Sequence, residues 1–155
     1  MKQVMLSQGK FALVDDEDFE LVSQYKWCVS HGYAWHPGKR EKGKKRGGMF
    51  MHRFLTGAVK GEKIDHSDGN GFNNQRYNIR RCTHSQNMMN KAKQKNNTTG
   101  YKGVVMEYGK YPVAKICVNG KHITIKRCKT IEEAAIAYNE AAVKYHGEFA
   151  RLNKV

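Results

Sequence analysis

The sequence has no apolar run approaching the roughly 20 residues that a membrane-spanning helix needs, so an integral helical membrane protein is excluded. Its opening residues, Met1 to Phe11, lack the long apolar centre of a secretory signal, so a cytoplasmic location is expected. Its four cysteines (Cys28, Cys82, Cys117 and Cys128) lie far apart with no C-x-x-C pair. A zinc knuckle of closely spaced ligands is thereby excluded, and the cysteines read as reduced thiols. Acidic side chains are the other shortage: 14 Asp and Glu stand against 28 Lys and Arg, a formal net charge of +14. At 155 residues the chain makes one domain or two small ones, each with a modest core.

The charge is unevenly placed. Residues 1–38 carry 3 basic and 5 acidic groups, residues 39–98 carry 15 and 4, and residues 99–155 carry 10 and 5. A positive charge concentrated in the middle faces a polyanion, because neutralising phosphates releases bound counterions. The densest run, from Lys39 to Gly48, is broken by glycine and has no apolar face, so it reads as a loop and not as a membrane-surface helix.

Local patterns divide the chain near a polar stretch, Lys95 to Gly100, that reads as a linker. Before it, Val4 to Leu6 and Phe11 to Val14 read as strands, and Tyr25 to Val29 with Tyr33 to His36 as a hairpin. Asp15 to Gln24 is simply acidic. Met49 to Leu55 is an apolar segment, Lys63 to His66 follows it, and Thr83 can cap a helix from His84 to about Lys93. After the linker come three β-branched strands, Val104 to Tyr108, Val113 to Val118 and His122 to Lys126. Asn119-Gly120 is a favoured hairpin turn. Thr130-Ile131-Glu132-Glu133 is a capping box, opening a helix with a stripe of Ala134, Ala135, Tyr138, Ala141, Ala142 and Tyr145 that ends at Gly147. The fold class expected is α+β.

The chemistry concentrates between residues 65 and 87. A strand delivers Asp65 and His66 side by side, a tight Asn- and Gly-rich loop returns the chain, and a helix follows. Phosphodiester hydrolysis needs a base to activate water and a cation to neutralise the phosphate. His66 suits the base, since its ordinary pKa is about 6.5. Asp65 and Asn87 offer the hard oxygen ligands that Mg²⁺ prefers, with water and phosphate filling the other positions. Asn78 could bond the far ring nitrogen of His66 and fix its tautomer. Arg76, Arg80 and Arg81 stand beside this site as candidate phosphate contacts. His52, in an apolar segment, reads as structural, Asp68 as a turn residue, and Asn70, Asn73 and Asn74 as turn formers without chemistry.

Asp65-His66, then Asn78, then Cys82-Thr83-His84-x-x-Asn87 resembles the HNH nuclease motif, the ββα-metal site of many phage and mobile-intron homing endonucleases. Met51 to Leu55 and Lys63 to His66 look like its flanking strands, and the resemblance covers residues 1–95 in order. It implies His66 as general base, Asp65 as metal ligand, Asn78 as the central Asn, and one Mg²⁺ or Mn²⁺ per site. The helical ligand falls on Asn87, four positions after the cap Thr83 as in the Asn-type branch, with His84 as the competing assignment.

Residues 99–155 resemble a second family, the APETALA/ethylene-response-factor DNA-binding domain, through Gly100 to Val104, Thr130 to Asn139, and Ala150 to Asn153. That implies a three-stranded sheet laid on duplex DNA, with a helix behind it. Alternation places Ala114, Ile116, Val118, Ile123 and Ile125 toward the helix. Lys115, Cys117, His122, Thr124 and Lys126 then face DNA, with Lys102 beside them. Val105, Cys117 and Thr124 stand where the plant pattern has Arg or Trp, so the plant target sequence is not implied. The expected division is 1–94, linker 95–100, and 101–155, together a homing-type DNA endonuclease that nicks one strand if monomeric. The alternative is a non-catalytic DNA-binding regulator on a degenerate nuclease scaffold. Intact Asp65, His66, Asn78 and Asn87 argue against it. An RNA-binding protein is a weaker reading, because no aromatic RNP motif or GXXG loop is present.

Overall fold

Four hairpins turn through residue pairs with positive φ: Gln8-Gly9, His31-Gly32, Tyr108-Gly109 and Asn119-Gly120. Glycine adopts that conformation without steric cost, and the two-residue links at 31–32 and 119–120 match the right-handed twist of paired strands. The computed structural model describes residues 1–38, 43 and 47–155, so most of the basic run Lys39 to Gly48 lies outside the described residues. The chain divides into two compact units, Met1–Thr83 and His84–Val155. That division falls upstream of the polar stretch 95–100. Among the described residues, small antiparallel sheets alternate with helices along the chain, which is compatible with the α+β class.

The first unit begins with an antiparallel pair, β1 (Lys2–Met5) and β2 (Phe11–Val14). The acidic run then forms a helix, α1 (Asp16–Ser23), with Asp16, Glu17 and Asp18 in its first turn. Carboxylates there meet the positive end of the helix dipole. A three-stranded sheet follows: β3 (Cys28–Ser30), β4 (Tyr33–Pro37) and β5 (Gly48–Phe50). The segment Met51 to Leu55, expected as a strand, is instead a helix, α2 (Met51–Thr56). A short apolar run does not reveal its period. Met51 and Leu55, one helical turn apart, are both buried, and Gly57 at φ 61 closes the helix in the left-handed conformation. The unit ends with the antiparallel pair β6 (Lys63–His66) and β7 (Ile79–Cys82). Its core joins Val4, Val14, Val22, Trp27, Met51 and Ile79. The Trp27 indole N–H donates to the Val22 carbonyl at 2.8 Å.

The second unit opens with α3 (His84–Asn90) and contains the sheet β8 (Val104–Glu107), β9 (Tyr111–Val118) and β10 (Lys121–Arg127). Helix α4 (Ile131–His146) packs on it. The Thr130 hydroxyl accepts from the Glu133 N–H at 3.1 Å, and the Glu133 carboxylate accepts from the Lys129 N–H at 3.0 Å. The buried stripe is Ala134, Ala135, Tyr138, Ala141, Ala142 and His146; Tyr145, expected on it, is exposed. All four cysteines are free thiols.

Small residues let this helix sit close to the sheet, and Gly103 marks the tightest approach. It has φ 74, and a Cβ there would overlap the buried Tyr138 ring and lie 2.8 Å from the Lys115 carbonyl oxygen. Gly103→Ala is expected to destabilise the second unit by about 2 kcal/mol or more, combining overpacking with a disfavoured backbone. Urea unfolding of the variant checks this, with Gly109→Ala, where nothing crowds a Cβ, as the conformational control.

Candidate active site

Strand β6 ends on Asp65 and His66, and β7 returns with Arg80 opposite Asp65 and Ile79 opposite His66. The intervening loop is rich in Asn and Gly because its backbone must turn repeatedly within a few residues. Side chains satisfy what the turns leave open. Asp68 accepts from the Asn70 N–H at 2.7 Å, the Asn73 amide at 2.8 Å and the Asn78 amide at 3.0 Å. Burial works against the Asp68 charge, but these donors outweigh it and hold the carboxyl below its usual range. Asn78 accepts from the Asp68 N–H at 3.0 Å and donates to the Asn73 carbonyl at 2.8 Å, while its own carbonyl accepts from Ser67.

The N-terminal elements grip the same loop. Phe72 and Asn74 bond to the backbone of Leu13 on β2, both at 2.8 Å. Asp15 accepts from the Arg76 N–H at 2.7 Å and the Gln75 amide at 3.0 Å, and these bonds hold its carboxyl below the usual range. The Arg76 guanidinium forks onto the buried Asp18 carboxylate at 2.6 and 2.9 Å.

His66 is 5% exposed, against the rings of Tyr33 and His52 at centroid distances of 5.6 and 5.0 Å. Burial lowers its pKa, with Asn74, Asp68 and Asp65 opposing, so the ring is neutral at pH 7. Its Nε2 lies 3.5 Å from Oδ1 of the fully buried Asn74, whose Nδ2 donates to the Phe72 carbonyl at 3.1 Å. The arrangement satisfying both ends of that amide puts the ring proton on Nε2 and the lone pair on Nδ1. Asn78, expected beside the far ring nitrogen, is spent on the loop, and Asn74 stands there instead. The tandem Asn73-Asn74 carries no periodic or spacing signal that separates a turn former from a histidine partner.

The remaining expected residues fall as follows. Asp65 is buried and paired with Arg80, whose Nη2 and Nε lie 2.9 and 3.1 Å from Oδ2. Arg81 pairs with Glu62 and donates to the Thr56 carbonyl at 2.8 Å. The three arginines expected on phosphate thus each hold a carboxylate of the chain itself. Asn87 lies on α3 and His84 begins it, both in the second unit. In that unit the Lys102 ammonium bonds the Met89 carbonyl, and burial lowers its pKa to about 8. A groove of about 1220 Å³ is lined by His84, Met88, Lys102, Val105, Lys115 and His122.

On the sheet, Thr124 lies opposite Lys115 and His122 opposite Cys117, as alternation predicts. A bulge then shifts the register, setting Lys126 opposite the buried Ala114 and Arg127 opposite Val113. Lys126 therefore leaves the face expected for DNA and Arg127 joins it. One extra residue reverses the alternation, and no turn residue in the sequence announces it.

Among the described residues, His52 has no hydrogen-bond partner at its buried Nδ1. Burial, then the neighbouring His66 and Arg53, lower its pKa from 6.5 to about 3. For both histidines the unfolded chain takes up protons before the folded one. The stability contribution of each is intact above about pH 6.5 and falls as the pH drops, by up to about 1.4 kcal/mol per pH unit for His52. For His52 the loss continues down to about pH 3. Urea unfolding at pH 7.5 and 5 is expected to show this, with a shallower dependence in His52→Gln; an unchanged slope excludes His52 as a source.

The chain is 35% identical over 154 residues, 96% of its own length and 77% of the relative's, to an uncharacterized HNH endonuclease of Acanthamoeba polyphaga mimivirus. No family model and no solved structure matches it. At that identity and coverage, with a buried Asp-His pair at a strand end over an Asn-knotted loop, the chain belongs to the HNH endonuclease family.

Proposed function

We propose that the protein is a metal-dependent, homing-type DNA endonuclease that cuts duplex phosphodiester bonds. The observation that carries the reading is the neutral His66, buried beside Asp65 with Asn74 at its Nε2. With the proton on Nε2, Nδ1 takes a proton from water. The water oxygen bonds to phosphorus in line as the bond to the 3′ oxygen breaks, and that oxygen leaves and is protonated. The neutral imidazole has the basicity this needs near pH 7. Asn74 keeps the tautomer, and Asn78 keeps the loop that holds Asn74.

Asp65 offers a carboxylate, a hard donor that suits Mg²⁺ or Mn²⁺, and the resemblance to the HNH motif implies the Asn87 amide oxygen as the helical ligand. Among the described residues no group of three or more His, Cys, Asp or Glu gathers. Mg²⁺ or Mn²⁺ held by Asp65 would supply charge neutralisation for the phosphate and the departing oxygen. Arg80 pairs with Asp65 in this structure, and with Asp65 holding the ion its guanidinium would be available to phosphate. The second unit, with its resemblance to the APETALA/ethylene-response-factor domain, supplies DNA affinity through the open face of its sheet, where Lys115, His122 and Thr124 lie. A monomer with one such site nicks one strand, inside the cell.

His66→Ala is expected to lower Mg²⁺-dependent strand scission by about 10²–10⁴-fold with duplex affinity nearly unchanged. Asp65→Ala also loses scission, and raised metal partly restores it, whereas His66→Ala does not respond to metal. Plasmid nicking, duplex binding and unfolding measured on the same preparations test this. A folded, DNA-binding His66→Ala protein that cleaves at the wild-type rate overturns the assignment.

A further inference from the structure

The β10 bulge leaves an unexpected group on the open face of the second unit's sheet. Glu107, a lone carboxylate among cations, bridges Lys115 at 3.0 Å and Arg127 at 2.7 Å. The Arg127 guanidinium also stacks over the Tyr111 ring, 5.3 Å from its centroid, and Tyr111 lies directly opposite Glu107 in the sheet. Arginine side chains on a surface ordinarily lose much rotamer freedom when they are fixed. Here a charged hydrogen bond and a ring hold the guanidinium before any ligand arrives. Its hydrogen bond to Glu107 involves Nη2, and the side chain stays more than half exposed.

A guanidinium fixed on one edge and open on the other matches the O6 and N7 acceptors of guanine in the major groove, the commonest specific arginine contact. Glu107 also reduces the charge of the face, a cost for any surface that merely attracts phosphate. Its position is explained if the face must read bases as well as hold backbone. We propose that Arg127 reads a guanine in the target duplex, and that Glu107 with Tyr111 sets this specificity by fixing the guanidinium. This rests on the reading of the sheet as the DNA-contacting face.

The test uses the full chain in EDTA, so that no strand is cut, with affinity selection from a pool of random duplexes followed by sequencing. The wild type is expected to prefer guanine at one position by about tenfold or more, the range of a good bidentate contact. Arg127→Lys reduces that preference to under about threefold and leaves the other positions alone. Glu107→Gln relaxes the same position, while affinity for unselected DNA stays equal or rises as a negative charge is lost. Lys126→Ala leaves the preference intact. If Lys115→Ala and His122→Ala weaken binding, yet Arg127→Lys and Glu107→Gln keep the wild-type preference, the present inference falls and the DNA-face reading stands. If Lys115→Ala, His122→Ala and Arg127→Lys all leave both affinity and preference unchanged, the DNA face lies elsewhere and both fall. A wild type without any guanine preference overturns the inference as well.

Discussion

The site depends on a carboxylate that takes no part in the chemistry. Asp68 is held by three donors from within its own loop, and two of them come from Asn73 and Asn78, which in turn bond each other. Asp68 is exposed, but the Asn73 and Asn78 amides that converge on it are buried, so the conformations open to this loop are few. Taking out Asp68 leaves those buried amides short of an acceptor, at about 1–3 kcal/mol each. The knot fixes where Asn74 sits, and thereby which nitrogen of His66 carries the proton. The His66 tautomer is thus set by loop folding.

A protein with twice as many basic as acidic groups could leave every arginine on the surface. This one pairs Arg76 with Asp18, Arg80 with Asp65 and Arg81 with Glu62. These pairs tie the loop and β7 to the rest of the first unit, and exposed pairs of this kind add little stability. The one of consequence is Arg80 with Asp65, since both groups are largely buried and neither can lose its partner cheaply. It holds the Asp65 carboxylate in one orientation at the end of β6.

Turn chemistry was the most legible layer of the sequence. Asn119-Gly120, His31-Gly32 and the Thr130 capping box each specify local geometry from two to four residues, and each stands where it was read. The pairing of Asp65 and His66 at a strand end was legible for the same reason. Three features were not. Met51 to Leu55 is too short to show its period, and only the burial of Met51 and Leu55 makes it helical. The partner of His66 is chosen by tertiary contact between β2 and residues 72–74, sixty positions apart in the chain. The sheet face was misread beyond Thr124 because alternation assumes an unbroken ladder.

That broken ladder has an evolutionary meaning. In a regular strand, changing what a sheet presents requires replacing side chains one at a time, each tested by selection. In β10 the bulge lets a single backbone residue decide whether Lys126 or Arg127 points outward. Removing one residue there would exchange the presented cation without altering the core-facing strands β8 and β9. If this face reads DNA, an endonuclease confronted with a drifting target moves between sequence preferences through one codon gained or lost. Relatives with β10 strands of different length would then be the natural place to look for altered recognition.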